Sequence, residues 1–213
     1  MKRKTLDIIV GAGLVVLAGL LLIAGLVLTS NANFANDYVK TQLTEQQITF
    51  KTAGTLTAEE KQSACLVKYA GQALDSGKKA ECYANEFIGL HLKSIAGGKT
   101  YAQLGDVQTE LKNKITAAQQ ANDPALTDLQ KQLTDVTAQR ETVFKGESLR
   151  GMLLTSYGFS EFGAKAAQAA LVAYLASGLL LLLGAAGLIH AARTPRSEGF
   201  AVPESASKQL TNA

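Results

Sequence analysis

The sequence predicts an all-α protein: two transmembrane helices flanking a mostly helical extracytoplasmic domain with an antiparallel helical hairpin. Three observations predict it. Residues 8–28 (IIVGAGLVVLAGLLLIAGLVL) and 166–192 (AAQAALVAYLASGLLLLLGAAGLIHAA) are almost wholly apolar, and a helix of about 20 such residues crosses a bilayer core. Basic residues flank both runs, Lys2, Arg3 and Lys4 before the first and Arg193 and Arg196 after the second, and such residues stay on the cytoplasmic side. Between the runs, apolar residues recur with the heptad spacing of paired helices.

The resulting plan has a cytoplasmic N-terminus (1–7), a first span (8–28), an extracytoplasmic helical domain (29–165), a second span (166–192) and a cytoplasmic tail (193–213) read as disordered. This is the topology of a bacterial plasma-membrane protein with both termini inside. A cleaved leader is the alternative for the start, but the first run is about twice the 7–15 residue core of such leaders. The formal net charge of +3 follows the same division. Outside 29–165 stand Lys2, Arg3, Lys4, Arg193, Arg196 and Lys208 against Asp7, Glu198 and Glu204, so the ends carry all of it. The balanced middle offers no basic field for nucleic acid.

Along the exported part, Phe34, Tyr38 and Leu43 can share one face of an outward continuation of the first helix. Residues 48–50 (ITF) then read as a short extended link. Thr57-Ala58-Glu59-Glu60 is a capping box that predicts a helix start, with Leu66, Val67, Ala70 and Leu74 as its apolar stripe. KKAECYANEFIGLHLKSIAGG is a second helix, with Tyr83, Phe87, Leu90 and His91 on one face and Gly97-Gly98 as its stop. Cys65 and Cys82, the two cysteines of the chain, are expected to pair in an oxidising compartment. The loop-entropy model assigns that bond about 3 kcal/mol. The pairing leaves two arrangements open: the first helix ends near Gly71, or the two helices cross.

The hairpin is read from Leu104, Val107, Leu111, Ile115 and Ala118, then Asp123-Pro124 as a helix start, then Leu126, Leu129, Leu133, Val136 and Val143 with Arg140 in the seam. It is either a stalk packed on its own domain or a lever that grips a partner. Residues 150–163 follow as an amphipathic segment, domain core or membrane-surface element, in which Gly158 and Gly163 allow a bend. Glu147 with Arg150 and Glu161 with Lys165 have helical ion-pair spacing. Glu147, Arg150, Tyr157, Phe159 and Phe162 are the candidate partner contacts.

In the spans, Gly11, Ala18 and Gly25, and Ala170, Ser177, Gly184 and Ala191, keep a seven-residue rhythm. Small seams let helices approach closely in lipid. Here they serve the two spans, other membrane-protein subunits or a second copy of the chain.

Chemistry is thin. No G-x-S-x-G and no phosphate loop occurs, and AGGKT (96–100) lacks the upstream glycine. His190 reads as interfacial and His91 as structural. A Cys–His metal site beside His91 lacks a CxxC and a second histidine. No catalytic residue, metal site or cofactor is expected.

KYAGQAL, HLKSIAGGKTYAQL and FKGESLRGMLLTSYGF, set between terminal spans, resemble a family of actinobacterial two-span membrane proteins of uncharacterised role. Some members carry the transferred description aromatic ring-opening dioxygenase. An iron site of that kind needs two histidines and a carboxylate on one metal, whereas the expected topology puts His91 and His190 on opposite sides of the bilayer. The leading expectation is a non-enzymatic accessory or assembly subunit of a larger plasma-membrane complex, a respiratory one among the possible hosts. The alternative is an extracytoplasmic sensor or receptor without its own output domain. A third class, an envelope hydrolase, would need a nucleophile paired with a base, which the sequence does not offer.

Overall fold

The computed structural model describes residues 2–195, which are all-helical without a strand. Arg196, Lys208 and the expected tail from 196 onward lie outside the described residues. Two helices, α1 (Arg3–Glu45) and α6 (Leu126–Arg193), are long and apolar enough to cross a membrane. Between them run α2 (Ala64–Tyr69), α3 (Gly77–Cys82), α4 (Gly89–Ala96) and α5 (Tyr101–Ala121). The chain divides into two compact units, Met1–Asn33 with Ala164–Ala213, and Phe34–Gly163.

The first unit is a pair of apolar helical segments meeting along small residues. Gly11, Gly25 and Gly184 are buried, and Ala18 and Ser177 are 0% and 1% exposed. Ser177 Oγ donates to the Ala18 carbonyl at 2.8 Å. A Cβ on Gly184 would stand 3.0 Å from the Gly11 carbonyl oxygen and 2.9 Å from Val15 Cγ2. Gly11 meets Gly184 and Ala18 meets Ser177, so the segments run antiparallel. Gly25 makes room for the Tyr174 ring, which a Cβ there would approach to 2.5 Å. The Tyr174 hydroxyl and Thr29 Oγ1 are 2.9 Å apart, and Thr29 Oγ1 donates to the Gly25 carbonyl.

Gly184→Leu is therefore expected to lower the stability of the detergent-solubilised chain by about 1–2 kcal/mol through overpacking. Gly178→Leu, with open space around its Cβ, should leave the melting curve nearly unchanged. Equal melting curves for the two variants would refute the seam.

The second unit is built around one core, in which Leu43, Leu66, Leu74, Leu104, Val143 and Leu153 are buried. In its part of α1, Leu43 lies with Ala35 and Val39 on the buried face, whereas Phe34 and Tyr38 are exposed. Phe34 and Tyr38 thus share a face, their rings 5.9 Å apart, but Leu43 does not join them, because the core-facing stripe takes the small and aliphatic residues. Residues 48–51 and 71–74 run side by side, Leu74 N donating to Ile48 O and Phe50 N to Gln72 O.

The capping box forms, with Glu60 N donating to Thr57 Oγ1 at 3.1 Å and Thr57 N to Glu60 Oε2 at 2.8 Å. It caps only a single 3₁₀ turn, Glu60–Gln62. Ser63 then turns extended and its hydroxyl caps α2 by accepting from Leu66 N. The helix expected from Thr57 is therefore replaced by two short pieces. Its expected stripe also divides: Leu66 is core, Val67 is exposed, and Leu74 is buried from the loop after α2.

Of the two disulfide arrangements, the first is present: α2 ends at Tyr69, and Gly71 has φ +73° in the turn beyond it. The Cys65–Cys82 bond ties α2 to the end of α3. From Gly77 to Ala96 the chain is continuously helical, but Tyr83–Ile88 is wound as a π-helix. It stops at Gly97 with φ +56°, the left-handed conformation that favours glycine. Gly77 allows the start of α3 to touch α6, where a Cβ would come within 2.4 Å of Ser160 Cβ.

Helix α5 opens on a capping box of Thr100 and Gln103. It ends at Asn122, φ 50°, and Asp123 Oδ1 then accepts from Ala125 N just before α6. Residues of α5 and early α6 meet in reverse order: Tyr101 with Phe144, Gly105 with Arg140, and Gln108 with Thr137. Helix α6 runs unbroken through Gly146, Gly151, Gly158 and Gly163. Glycine lowers helix stability by about 1 kcal/mol without forcing a break. Gly146 also fits closely against Leu92, which a Cβ would approach to 2.5 Å.

Candidate functional site

Four features of the second unit have the chemistry to recognise something, and all are built by helix packing. The first is a buried carboxylate. Glu60 is 1% exposed. Its Oε1 accepts from Lys51 Nζ at 2.7 Å and its Oε2 from Thr57 N. Burial pushes the Glu60 carboxyl up, but the Lys51 hydrogen bond, the Thr57 N–H and the Lys51 charge outweigh it and hold the group below its ordinary range. His91 lies alongside, its Nε2 3.6 Å from Glu60 Oε1. Its Nδ1 is 2.7 Å from the Phe87 carbonyl, which can only accept, so Nδ1 carries a proton and Nε2 faces the carboxylate. The π-helical winding brings Tyr83, Phe87 and His91 into a ring stack with centroid spacings of 4.7 and 4.5 Å. Tyr83 also meets Phe50, and burial raises its hydroxyl pKa. This cluster joins the 48–62 segment to the helix carrying His91.

The second feature is a cavity of about 380 Å³ lined by Asn85, Glu86, Lys93, Lys99, Glu147 and Arg150 among others. Arg150 NH1 donates to both Glu147 carboxylate oxygens at 3.0 and 2.9 Å. Its NE donates to the Ala84 carbonyl and its NH2 to Asn85 Oδ1. Glu147 and Arg150, two candidate partner contacts, are thus brought together. Arg150 spends most of its donors on its own unit.

The third feature is the surface of α5 and early α6. Leu104, Leu111, Ala118 and Val143 are buried, while Val107, Ile115, Leu126, Leu129, Leu133 and Val136 remain half-exposed. Arg140 lies over the Tyr101 ring at 4.1 Å and donates to Gln108 Oε1 at 2.8 Å. Gln108 Nε2 in turn donates to Thr137 Oγ1 at 2.7 Å. A polar chain inside an apolar seam specifies register.

The fourth feature is an exposed aromatic patch. Phe34 and Tyr38 stack at 5.9 Å, and Phe159 sets its edge against both, at 6.4 and 5.9 Å. Phe162 stands beyond Phe159 on α6 and is highly exposed. Tyr157 behaves differently: its hydroxyl accepts from Lys78 Nζ at 3.1 Å, and Lys78 also lies over its ring at 4.6 Å. Lys78 pairs with Glu161 at 3.1 Å. The Tyr157 and Glu161 hydrogen bonds raise the Lys78 pKa above the ordinary lysine value. The expected Glu161–Lys165 pair is therefore replaced, and Lys165 donates instead to Gln168.

In the first unit, the sequence-predicted seam residues Gly11, Ala18, Ser177 and Gly184 are brought together, with Gly25, Ala170 and Ala191 also buried. Sequence reasoning missed Asp7, whose Oδ2 lies 3.0 Å from His190 Nδ1. It also missed Lys51, Lys78 and Tyr174. Only the near-mirror positions of Asp7 and His190 in their apolar runs offered a signal. Both cysteines are bonded, and among the described residues no group of three His, Cys, Asp or Glu side chains is placed to hold a metal. Comparison with family models, curated proteins and solved structures finds no match to the chain.

Proposed function

We propose that this chain is a non-enzymatic two-span protein of a bacterial plasma membrane, serving as an accessory or assembly subunit of a larger membrane complex. In this reading both termini are cytoplasmic, and residues 29–165 form an extracytoplasmic domain whose antiparallel hairpin, α5 with early α6, is the gripping arm. The observation that carries the reading is the half-exposed apolar seam of that arm, Val107, Ile115, Leu129 and Leu133, on a disulfide-tied helical body. Because the small residues of the spans meet one another, docking within lipid falls to the remaining apolar faces, around Leu20 and Leu182. The family resemblance of the KYAGQAL, HLKSIAGGKTYAQL and FKGESLRGMLLTSYGF segments belongs to the same proposal, and a respiratory complex is one candidate host.

The test is an affinity isolation of the tagged full chain from mild-detergent membranes, with partners identified by mass spectrometry. A stoichiometric set of membrane subunits, lost when Leu129 and Leu133 are changed to Lys, is the expected result. Isolation of the chain alone would overturn it and favour the second reading, a receptor. The cavity beside Arg150, with Lys93 and Lys99 free of ion pairs among the described residues, is the observation favouring that reading.

A further inference from the structure

We propose that the cavity beside Arg150 binds a short peptide with free termini, its carboxylate at Lys93 and Lys99 and its ammonium at Glu86. The cavity lies wholly within the second unit, so it serves a membrane subunit and a receptor alike.

The walls of the cavity run antiparallel. Arg150 Nε donates to the Ala84 carbonyl, Gly146 fits against Leu92, and Phe144 meets Tyr101. Asn85 and Glu86 therefore lie at the Arg150 end, Lys99 and Thr100 lie at the Val143 end, and Lys93 follows Leu92 toward the latter. The two ends differ in charge. At the first, Arg150 NH1 donates to both Glu147 oxygens, which leaves the exposed Glu86 carboxylate unbalanced. Glu81 stands beside it, 3.6 Å from its partner Lys78. At the second end, the exposed Lys93 and Lys99 make no ion pair or side-chain hydrogen bond among the described residues. Arg140, Glu141 and Lys145 of the adjoining groove add net positive charge there. Unpaired charges of opposite sign at the two ends of one cavity suit a ligand that carries both.

Length and lining select a peptide. Glu86 and Lys93 are seven residues apart, about 10 Å of helix, and three extended residues at about 3.3 Å each span the same distance. The volume of about 380 Å³ falls within the roughly 300–1,000 Å³ of small-ligand sites. Leu92 and Val143, 8% and 3% exposed, give an apolar floor for the ligand's side chains. Gly89 keeps the middle of the cavity open, because a Cβ there would stand 3.7 Å from Arg150 Nε. Asn85 Oδ1 accepts from Arg150 NH2, so the Asn85 Nδ2 donors are left for a peptide carbonyl.

The test is isothermal titration of the full chain in mild detergent with the tripeptide Ala-Leu-Ala, its N-acetylated form and its C-terminal amide. The expected result is saturable binding of the free peptide below about 10 mM. Acetylation and amidation should each weaken it about three- to fivefold, the scale of a solvent-exposed ion pair. Glu86→Gln should reproduce the loss from acetylation and bind the free and acetylated peptides equally. Lys93→Gln combined with Lys99→Gln should do the same for amidation. Lys145→Gln, in the adjoining groove, should bind as wild type does. All four side chains are exposed, so each variant should melt with the wild type. Absence of binding to the free peptide overturns the assignment. So does binding that ignores both terminal blocks, or a loss in Lys145→Gln equal to that of the lysine pair. If succinate binds as well as the free peptide and Glu86→Gln changes neither, the cavity is a plain anion site and the assignment is overturned as well. None of these outcomes alters what co-purifies with the chain, so a failed site and a failed subunit reading are told apart.

Discussion

Replacing Cys65 and Cys82 together with serine is expected to destabilise the second unit by about 3 kcal/mol. The bond ties α2 to α3 across a connection that holds the turn at Gly71 and the loop residue Leu74. Helix α2 spans only Ala64–Tyr69, and an isolated helix so short is not stable in water. Without the bond, α2 keeps Leu66 as its one buried anchor, and the unfolded chain regains the entropy of an open loop. Circular dichroism melting of the full chain in detergent should show a transition lowered by about 10–15 °C. Reductant should lower the wild-type transition to the same place and leave the double variant unmoved. A double variant that melts with the oxidised wild type would show that the core alone holds α2.

The second large effect belongs to Glu60. Truncation to alanine removes the acceptor for Lys51 Nζ and for Thr57 N at once, and is expected to cost about 2–3 kcal/mol. The low end applies because Lys51 is about one-third exposed and regains water. Burial alone would raise the carboxyl pKa, but the Lys51 and Thr57 hydrogen bonds and the Lys51 charge leave it below the ordinary value of 4.5. The folded state therefore binds the Glu60 proton more weakly than the unfolded state does. The stability this contributes is complete above the ordinary carboxylate range and is lost as pH falls through the lower folded value. Melting curves of wild type and Glu60→Gln should differ most near pH 7 and converge below about pH 4. A gap that stays constant from pH 7 to pH 3 would mean the charge of Glu60 contributes nothing.

These two sites mark how far a sequence reading reaches. Residues 8–28 and 166–192 were legible because long apolar composition needs no tertiary context. The cysteine pair was legible because two thiols in one chain leave a single possible pairing. Thr57 and Glu60 were legible as a capping box, but not as the cap of a single turn. The competing cap at Ser63 lies three residues beyond Glu60, and only the packing of Leu66 decides between them. The π-helical winding at Tyr83–Ile88 had no signature in the sequence. Gly158 and Gly163 were legible as places that allow a bend, because glycine's freedom is visible in sequence. The close fits of Gly146 against Leu92 and of Gly77 against Ser160 were not. Of the candidate contacts, Phe159 and Phe162 lie in an exposed patch, while Arg150 and Tyr157 are occupied by Ala84, Glu147 and Lys78 from within their own unit.

The seam between Ala18 and Ser177 also has a consequence in time. The two residues are 159 positions apart, so a ribosome adding about 5–20 residues per second makes the second some 8–30 seconds after the first. In the bilayer proposed here, the glycines and alanines of the first span wait through that interval with lipid where their partner will lie. A chain stalled within that interval would present, in the same reading, an unmatched small-residue groove to the lipid.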